Sequence, residues 1–178
     1  MKENDMPYQH TKRKAHQHRD DLAGEHKAGD AGQFILACLF FAVWIADTFF
    51  FKYTIFLNQY VPLGVRIPVG IVLLLLAGYL AVRGHSIVFG KEKQKPEVIN
   101  EGVFSIVRHP MYLSELLLYL GLLMLSLSLS AAFVWVIAIG FLHYISRYEE
   151  KLLIARFGED YEQYMREVAM WIPLLRKR

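Results

Sequence analysis

Two short stretches of this chain combine residues that could bind or transfer charged groups. One contains Arg108, His109 and Tyr112. The other lies more than thirty residues further on and contains the adjacent carboxylates Glu149 and Glu150. Both stretches lie at the ends of apolar segments, where charged side chains are costly unless they have a task. Together they predict a functional site at a membrane surface.

This set of side chains favours a zwitterionic ligand. Cationic and amide donors would bind the carboxylate of such a ligand, and the paired carboxylates would bind its ammonium group. Pro110 is expected in the first turn of a helix, which places Arg108 and His109 at the N-terminus of that helix. The helix dipole also favours an anionic group there. An amino-acid head group is the simplest ligand of this type.

The composition indicates an integral membrane protein. Hydrophobic residues make up 54% of the 178 residues, which is too many for an ordinary soluble fold of this length. Apolar segments at about 34–51, 67–82, 111–127 and 131–146 are predicted to be transmembrane helices, because none shows strand-like alternation. Irregular backbone cannot face lipid. We therefore expect an all-α fold with four transmembrane helices, the last two forming a C-terminal helical hairpin.

The basic residues predict how these helices are oriented. Of the 20 Lys and Arg residues, 18 lie in the N-terminal tail, in the loop 83–108 or from Arg147 onward. The positive-inside rule places both termini and the middle loop in the cytoplasm. Since a short turn near Ser128 joins the last two spans, the two stretches of the site meet on the cytoplasmic face. The membrane would be the inner or plasma membrane of a bacterium, or the endoplasmic reticulum of a eukaryote.

The chain is predicted to divide into a polar, basic N-tail, 1–33, and a membrane domain, 34–178. The tail has no apolar core or small-residue cleavage site, so we do not expect a secretory signal. Its four histidines lack regular ligand spacing, so no metal site is expected, and a solvated tail on anionic lipid is favoured. Recurring apolar and aromatic residues predict amphipathic cytoplasmic helices over 148–173, interrupted at Gly158. Such an element could cover the site.

Other residues of similar chemistry are open to more than one interpretation. A carboxylate inside a span, such as Asp47 or Glu115, is a candidate for function, or it pairs with a neighbouring helix. His143 is either a helix-packing residue or a base. Three further tyrosines are interpreted as interface aromatics: Tyr119, Tyr144 and Tyr148. No nucleic-acid patch is visible, and no Gly-rich turn between a strand and a helix indicates a Rossmann-type cofactor site.

Two motifs resemble the isoprenylcysteine carboxyl methyltransferase and phospholipid methyltransferase superfamily of integral membrane enzymes. They are Gly102-Val-Phe-Ser-Ile-Val-Arg-His-Pro-Met-Tyr-Leu113 and Glu149-Glu-Lys-Leu-Leu-Ile-Ala-Arg-Phe-Gly-Glu-Asp-Tyr-Glu-Gln-Tyr164. They occur in the order typical of the family, around a helical hairpin. The resemblance implies S-adenosylmethionine as cofactor, in a cytoplasm-facing pocket closed by the C-terminal segment. It also implies methyl transfer to a substrate that enters from the lipid.

Matched residue by residue, the resemblance places the family's binding motifs on seven positions: Arg108, His109, Tyr112, Glu149, Glu150, Tyr161 and Tyr164. Arg147 joins the predicted cofactor site because the hairpin brings it opposite Arg108. We predict that Arg108, His109 and Glu115 are catalytic and that the others bind the cofactor, with His109 in both sets. The family often has a glycine soon after the tyrosine, where this chain has Ser114-Glu115, and the Glu115 carboxylate is therefore expected near the acceptor.

The chemistry implied by this resemblance needs little from side chains. The methyl group is already activated, so catalysis depends on aligning the acceptor with it and on excluding water. A carboxylate or thiolate acceptor needs no base, whereas an ammonium group must first lose a proton, to His109, Glu115 or His143. An isoprenylcysteine carboxylate, a phospholipid amine and a thiol all remain open as acceptors.

Two other classes of protein are weighed against a methyltransferase. A membrane reductase of the sterol type, which depends on NADPH, would need more spans and basic residues for the cofactor phosphate. A non-catalytic membrane adaptor would leave the charged residues without a ligand. Apart from the lipid bilayer and a lipophilic substrate, the sequence indicates no partner. The oligomeric state is open, although Gly70 and Gly78 would permit close helix contacts.

Overall fold

The computed structural model describes residues 27–89 and 97–172, which form five α-helices. These helices are α1 (Lys27–Ile45), α2 (Leu63–Phe89), α3 (Pro110–Ser126), α4 (Leu129–Phe157) and α5 (Glu159–Glu167). A π-helical segment, Ala46–Phe51, extends α1, and short 3-10 turns occupy Phe56–Gln59 and Gly102–Ser105. The described residues contain no strand, only an isolated parallel bridge between Val107 and Ala169. The all-helical prediction is confirmed.

Three segments are long and apolar enough to cross a membrane: Ala31–Phe51, Leu63–Phe89 and Leu129–Phe157. The helix predicted as the third of four spans, α3, is apolar but has only 17 residues, or about 26 Å. Nearly all its side chains are buried or half-buried, and Met111 is its one exposed residue at 40%. Because protein surrounds α3, its length need not match a bilayer. Four spans stay a prediction.

α2 and α3 approach closely where two glycines face each other. A Cβ atom at Gly70 would lie 3.1 Å from the carbonyl oxygen of Gly121, and one at Gly121 would lie 3.2 Å from that of Gly70. Small residues of this kind let helix backbones meet inside membranes. Gly70 therefore serves a contact within the chain. Gly78 has none of the described residues within 4 Å of such a Cβ.

α1 lies parallel to α3. The ring of Phe40 stacks on that of Tyr119 with centroids 4.1 Å apart, and further along Trp44 Nε1 donates to the Leu122 carbonyl (3.2 Å) and to Ser126 Oγ (2.9 Å). Since these contacts advance in the same direction along both helices, the two helices run parallel to each other. Tyr119 was interpreted as an interface aromatic, and this is wrong: it is 0% exposed, because its ring fills the space between the helices.

The intramembrane carboxylate Asp47 has a structural role at the end of the bundle away from Arg108. Its Oδ2 accepts hydrogen bonds from Thr54 Oγ1 (2.5 Å) and Ser128 Oγ (2.6 Å), and its Oδ1 accepts from the Thr54 amide (3.1 Å). Ser128 also caps α4, since its side chain accepts from the Ala131 amide at 3.2 Å. Asp47 thus joins the loop after α1 to the turn between α3 and α4.

The C-terminal helices differ from the prediction in extent. α4 continues to Phe157, and Gly158 interrupts the helix as expected, with φ 57° and ψ −128°, a conformation that favours glycine. The helix that follows ends at Glu167, earlier than the predicted boundary at residue 173. Val168 is extended, because the backbone after it bonds to the start of α3 and not to its own helix.

Some predicted features lie outside the described residues. They are most of the N-tail with His10, His16, His18 and His26, the loop lysines Lys91, Lys93 and Lys95, and the chain from Pro173 onward. α1 begins at Lys27, so residues 27–33 of the range predicted as polar tail are helical. The proposed division of the chain into tail and membrane domain stays a prediction.

The glycine contact between α2 and α3 leads to a first prediction. In Gly121→Leu the new side chain meets Leu74 and the backbone of Gly70, so the free energy of unfolding should fall by about 1–3 kcal/mol. Gly78→Leu is the matched control, and it should change stability by less than about 0.5 kcal/mol. Thermal unfolding of both variants in detergent micelles measures the difference. Equal destabilisation by the two substitutions would contradict this packing.

Candidate active site

The two stretches predicted to form a site meet where α3 begins and α4 passes beside it. His109 is the N-cap residue of α3 and Pro110 occupies its first turn, as predicted. Only Leu127 and Ser128 separate α3 from α4, so the two helices form a hairpin. This hairpin returns the chain to the start of α3, and the later residues of α4 face the N-cap.

Arg108 and Glu150 form a buried ion pair. Arg108 Nε donates to Glu150 Oε1 at 2.8 Å, and Nη2 lies 2.7 Å from the same oxygen. The two side chains are 9% and 2% exposed. Buried charges are costly unless they are paired and hydrogen-bonded, and this pair meets both conditions. It joins the start of α3 to α4.

Arg108 also holds the end of α5 and the residues that follow it. Its Nη1 donates to the carbonyl oxygens of Met165 (3.1 Å) and Val168. Four of the five N–H groups of a guanidinium are thereby directed at other groups of the protein. The guanidinium borders the site, yet its main contacts position α4 and the C-terminal segment.

Backbone hydrogen bonds fix the same segment, Met165–Met170, across the start of α3. The amide of Arg108 donates to the Ala169 carbonyl at 2.9 Å, and the amide of His109 donates to the Met170 carbonyl at 3.2 Å. On α5, the hydroxyl of Tyr164 donates to the Phe104 carbonyl at 2.6 Å. These bonds fix the C-terminal segment beside the start of α3, although none of its residues lines the cavity described below.

His109 lies between the two carboxylates. Its Nδ1 is 3.6 Å from Glu149 Oε2, and its Nε2 is 3.5 Å from Glu150 Oε1. The imidazole is buried and lies parallel to the ring of Tyr112, with centroids 5.6 Å apart. The hydroxyl of Tyr112 donates to Glu149 Oε1. Within the described residues Nε2 completes no hydrogen bond of good geometry, and it lies beside the Glu150 carboxylate.

A cavity of about 290 Å³ opens beside these side chains. Its polar lining includes Arg108, His109, Tyr112, Glu149 and, from α1, Gln33. Tyr161 and Tyr164 line it from α5. Much of the remaining wall is apolar and includes Val88, Val98, Phe104, Met111, Leu153 and Phe157. The cavity can therefore hold a ligand with one charged end and an apolar remainder.

The cavity adjoins two surfaces of different character. A second hollow of about 330 Å³ shares Glu97, Val98, Phe157 and Tyr164 with it. The other residues of this hollow are polar and exposed: Asn100, Asp160, Gln163 and Glu167. Elsewhere the lining includes Met111 and Val88, whose apolar side chains are exposed. One side thus faces polar surface and the other apolar surface.

The two tyrosines of α5 are neutral hydrogen-bonding groups. Both side chains are buried, and burial raises the pKa of Tyr161 and of Tyr164. The phenols therefore remain protonated at physiological pH, and each hydroxyl can donate. Tyr164 uses its hydroxyl on the Phe104 carbonyl.

Three predicted site residues do not line the cavity. Glu150 is paired with Arg108, and Arg147 is 57% exposed and contacts Glu150 at 3.4 Å. Glu115, predicted to be catalytic, accepts a hydrogen bond from the Tyr119 hydroxyl at 2.5 Å, because its side chain points along α3 toward the core. His143 contacts the ring of Trp171 edge-on with centroids 5.6 Å apart, also outside the cavity lining.

Gln33 and most of the apolar wall of the cavity were not predicted from the sequence. Gln33 lies in the range assigned to the polar tail, and no motif marks it. Phe104 and Phe157 belong to the two motifs, but nothing in their type separates a cavity-lining residue from a core residue. The exposed polar residues around Asp160 gave no signal either, because they resemble any solvated helix face.

These observations define an all-helical protein whose apolar helices carry a partly polar cavity at one end. A family model described as phospholipid methyltransferase matches residues 64–160, more than half of the chain, and the chain belongs to this family. It is similar to the protein-S-isoprenylcysteine O-methyltransferase of Schizosaccharomyces pombe, with 30% identity over 90 residues. That match covers 50% of this chain and 38% of the relative. The family resemblance predicted from the sequence is confirmed.

The contacts of Arg108 predict what its loss would do. Arg108→Ala leaves Glu150 buried without its partner and releases the C-terminal segment, so the free energy of unfolding should fall by about 3–5 kcal/mol. Arg108→Lys keeps the charge but loses the forked set of hydrogen bonds, so it should recover only part of this stability. Thermal unfolding and limited trypsin digestion at Arg166 would measure both effects.

Arg147→Ala is the matched control for this experiment. It removes an exposed partner of the same Glu150 carboxylate, so it should lower stability by less than about 1 kcal/mol. Trypsin susceptibility of the C-terminal segment should stay at the wild-type level. If the two alanine variants behaved alike, Arg108 would not be the residue that holds the segment.

Proposed function

We propose that this protein is an integral membrane methyltransferase that transfers the methyl group of S-adenosylmethionine to a lipophilic acceptor. The observation that carries the proposal is the cavity itself. It combines His109, Tyr112 and Glu149 with an apolar wall, and it adjoins both a polar and an apolar surface, in a chain of the phospholipid methyltransferase family.

The donor set fits the amino-acid end of S-adenosylmethionine. Glu149 presents a carboxylate to the cavity and would bind the ammonium group of the cofactor. Tyr112 orients that carboxylate by donating to it. The imidazole of His109 and the hydroxyl of Tyr161 line the cavity and would donate to the cofactor carboxylate when they carry hydrogen. The adjoining polar hollow gives a soluble cofactor its access.

Bound S-adenosylmethionine would supply a methyl group on a sulfonium, already activated for attack. The residues of this chain contribute alignment and exclusion of water. The segment Met165–Met170 is held by Arg108 against the start of α3, and it thereby fixes α5, whose Tyr161 and Tyr164 line the cavity. We therefore assign Arg108 and Glu150 to positioning. For an amine acceptor, His109 is the imidazole in the cavity lining that could take a proton.

A lipophilic acceptor would reach the cavity from its apolar side, past residues such as Met111. An isoprenylcysteine carboxylate, a phospholipid amine and a thiol fit this route. We further propose that α3 completes a set of four spans and that both termini are cytoplasmic. The distribution of basic residues supports this orientation, since the site then faces the compartment that contains the cofactor.

Binding and activity measurements test this proposal. Protein purified in lipid nanodiscs should bind S-adenosylmethionine and transfer labelled methyl groups to a component of a membrane lipid extract or to a prenylcysteine analogue. Glu149→Gln removes the carboxylate that would bind the ammonium group, so the cofactor Kd should rise at least about tenfold. A wild-type protein that binds no S-adenosylmethionine at about millimolar concentration would rule the proposal out.

Glu159→Gln is the matched control. Glu159 is an exposed carboxylate at the start of α5 that lines neither hollow, so its substitution should leave the cofactor Kd within about twofold. An equal loss of affinity in both variants would indicate a general effect of negative charge, and Glu149 would have no specific role.

A further inference from the structure

α1 contributes a polar side chain to the cavity although the family match, 64–160, does not reach it. This residue is Gln33, which is half-buried. Its amide makes no hydrogen bond within the part of the chain that the structure describes. A primary amide both donates and accepts, so Gln33 offers the cavity two kinds of hydrogen-bonding group.

The packing of α1 on α3 fixes the depth of Gln33. Phe40 and Tyr119 stack on each other, and their helices run parallel. Gln33 and Tyr112 each lie seven residues, close to two turns, before one member of that pair. Two turns return to the same face of a helix, so Gln33 and Tyr112 lie at the same depth beside the cavity.

Gly32 makes this approach possible. A Cβ atom at Gly32 would lie 2.3 Å from Cζ of Phe141 on α4, so any side chain there would displace the ring or the helix. The glycine brings the backbone of α1 against α4 one residue before Gln33. The position of Gln33 in the wall therefore depends on a specific close contact.

We infer that Gln33 binds the polar group of the methyl acceptor and helps to determine which acceptor is used. This inference rests on the proposed function. The next residues on α1, Phe34 and Ile35, are 71% and 67% exposed, so Gln33 lies at the apolar edge of the site. Gln33 does not line the polar hollow around Asp160, which suits the cofactor. Gln33 is therefore assigned to the acceptor, which enters from the lipid, and not to the cofactor.

Substitution of Gln33 separates acceptor binding from cofactor binding. Two probes are used: N-acetyl-S-farnesylcysteine, a carboxylate acceptor, and phosphatidylethanolamine vesicles, an amine acceptor. Gln33→Ala loses the amide, so the KM for the acceptor should rise about five- to tenfold while the cofactor Kd stays within about twofold. Gln33→Glu adds negative charge, so the ratio of the kcat/KM values for the amine and the carboxylate acceptor should shift toward the amine. If the protein uses only one of the two acceptors, the KM should rise for the carboxylate or fall for the amine.

Cys38→Ala is the control on the same helix, since Cys38 is exposed and lies outside the cavity lining. It should leave both the acceptor KM and the cofactor Kd unchanged. An acceptor KM that stays within about twofold of wild type in both Gln33 variants would overturn the inference and leave the proposed function intact. A change confined to the cofactor Kd would overturn it as well. Wild-type protein without cofactor binding or methyl transfer would overturn the proposed function itself.

Gly32 provides a second, independent variant. Gly32→Leu pushes α1 away from Phe141 and should raise the acceptor KM in the same way as Gln33→Ala. Gly140→Leu is its control, because no described residue lies within 4 Å of a Cβ atom there. Equal acceptor KM values in the two leucine variants would contradict the role of the close contact.

Discussion

The buried ion pair between Arg108 and Glu150 connects three parts of the chain that are distant in sequence. It joins the start of α3, the second half of α4 and, through the other donors of the guanidinium, the segment Met165–Met170. Taking two charges out of water costs several kcal/mol for each ion. Here the cost is offset because both charges are paired and nearly all donors find acceptors. The shape of the cavity depends on this arrangement.

The ion pair also divides the predicted site residues into two groups. Arg108 and Glu150 satisfy each other and act on the site through position. His109, Tyr112 and Glu149 line the cavity and are the side chains to which we assign ligand binding. The adjacent carboxylates thus have different roles, since neighbouring residues on a helix point about 100° apart. Only the packing of α4 decides which of the two faces the cavity.

The helices and the place of the site could be predicted because they depend on local properties. The length of the apolar segments predicted the long helices, Pro110 predicted the start of α3, and Gly158 predicted the break after α4. The environments of Tyr119, Glu115 and Gln33 could not be predicted in this way. In a membrane protein the lipid-facing and helix-facing sides can both be apolar, so periodicity does not show which faces meet. The environments of those residues depend on how α1 packs against α3 and α4.

The C-terminal segment is held through its main chain. Arg108 binds the carbonyl groups of Met165 and Val168, and the amides at the start of α3 bind those of Ala169 and Met170. Any residue supplies a carbonyl oxygen, so exposed side chains of this segment can change without loosening these bonds, whereas Met165 and Val168 also pack in a small apolar cluster. The attachment of α5 to the start of α3 thereby tolerates sequence changes at the exposed positions of the segment.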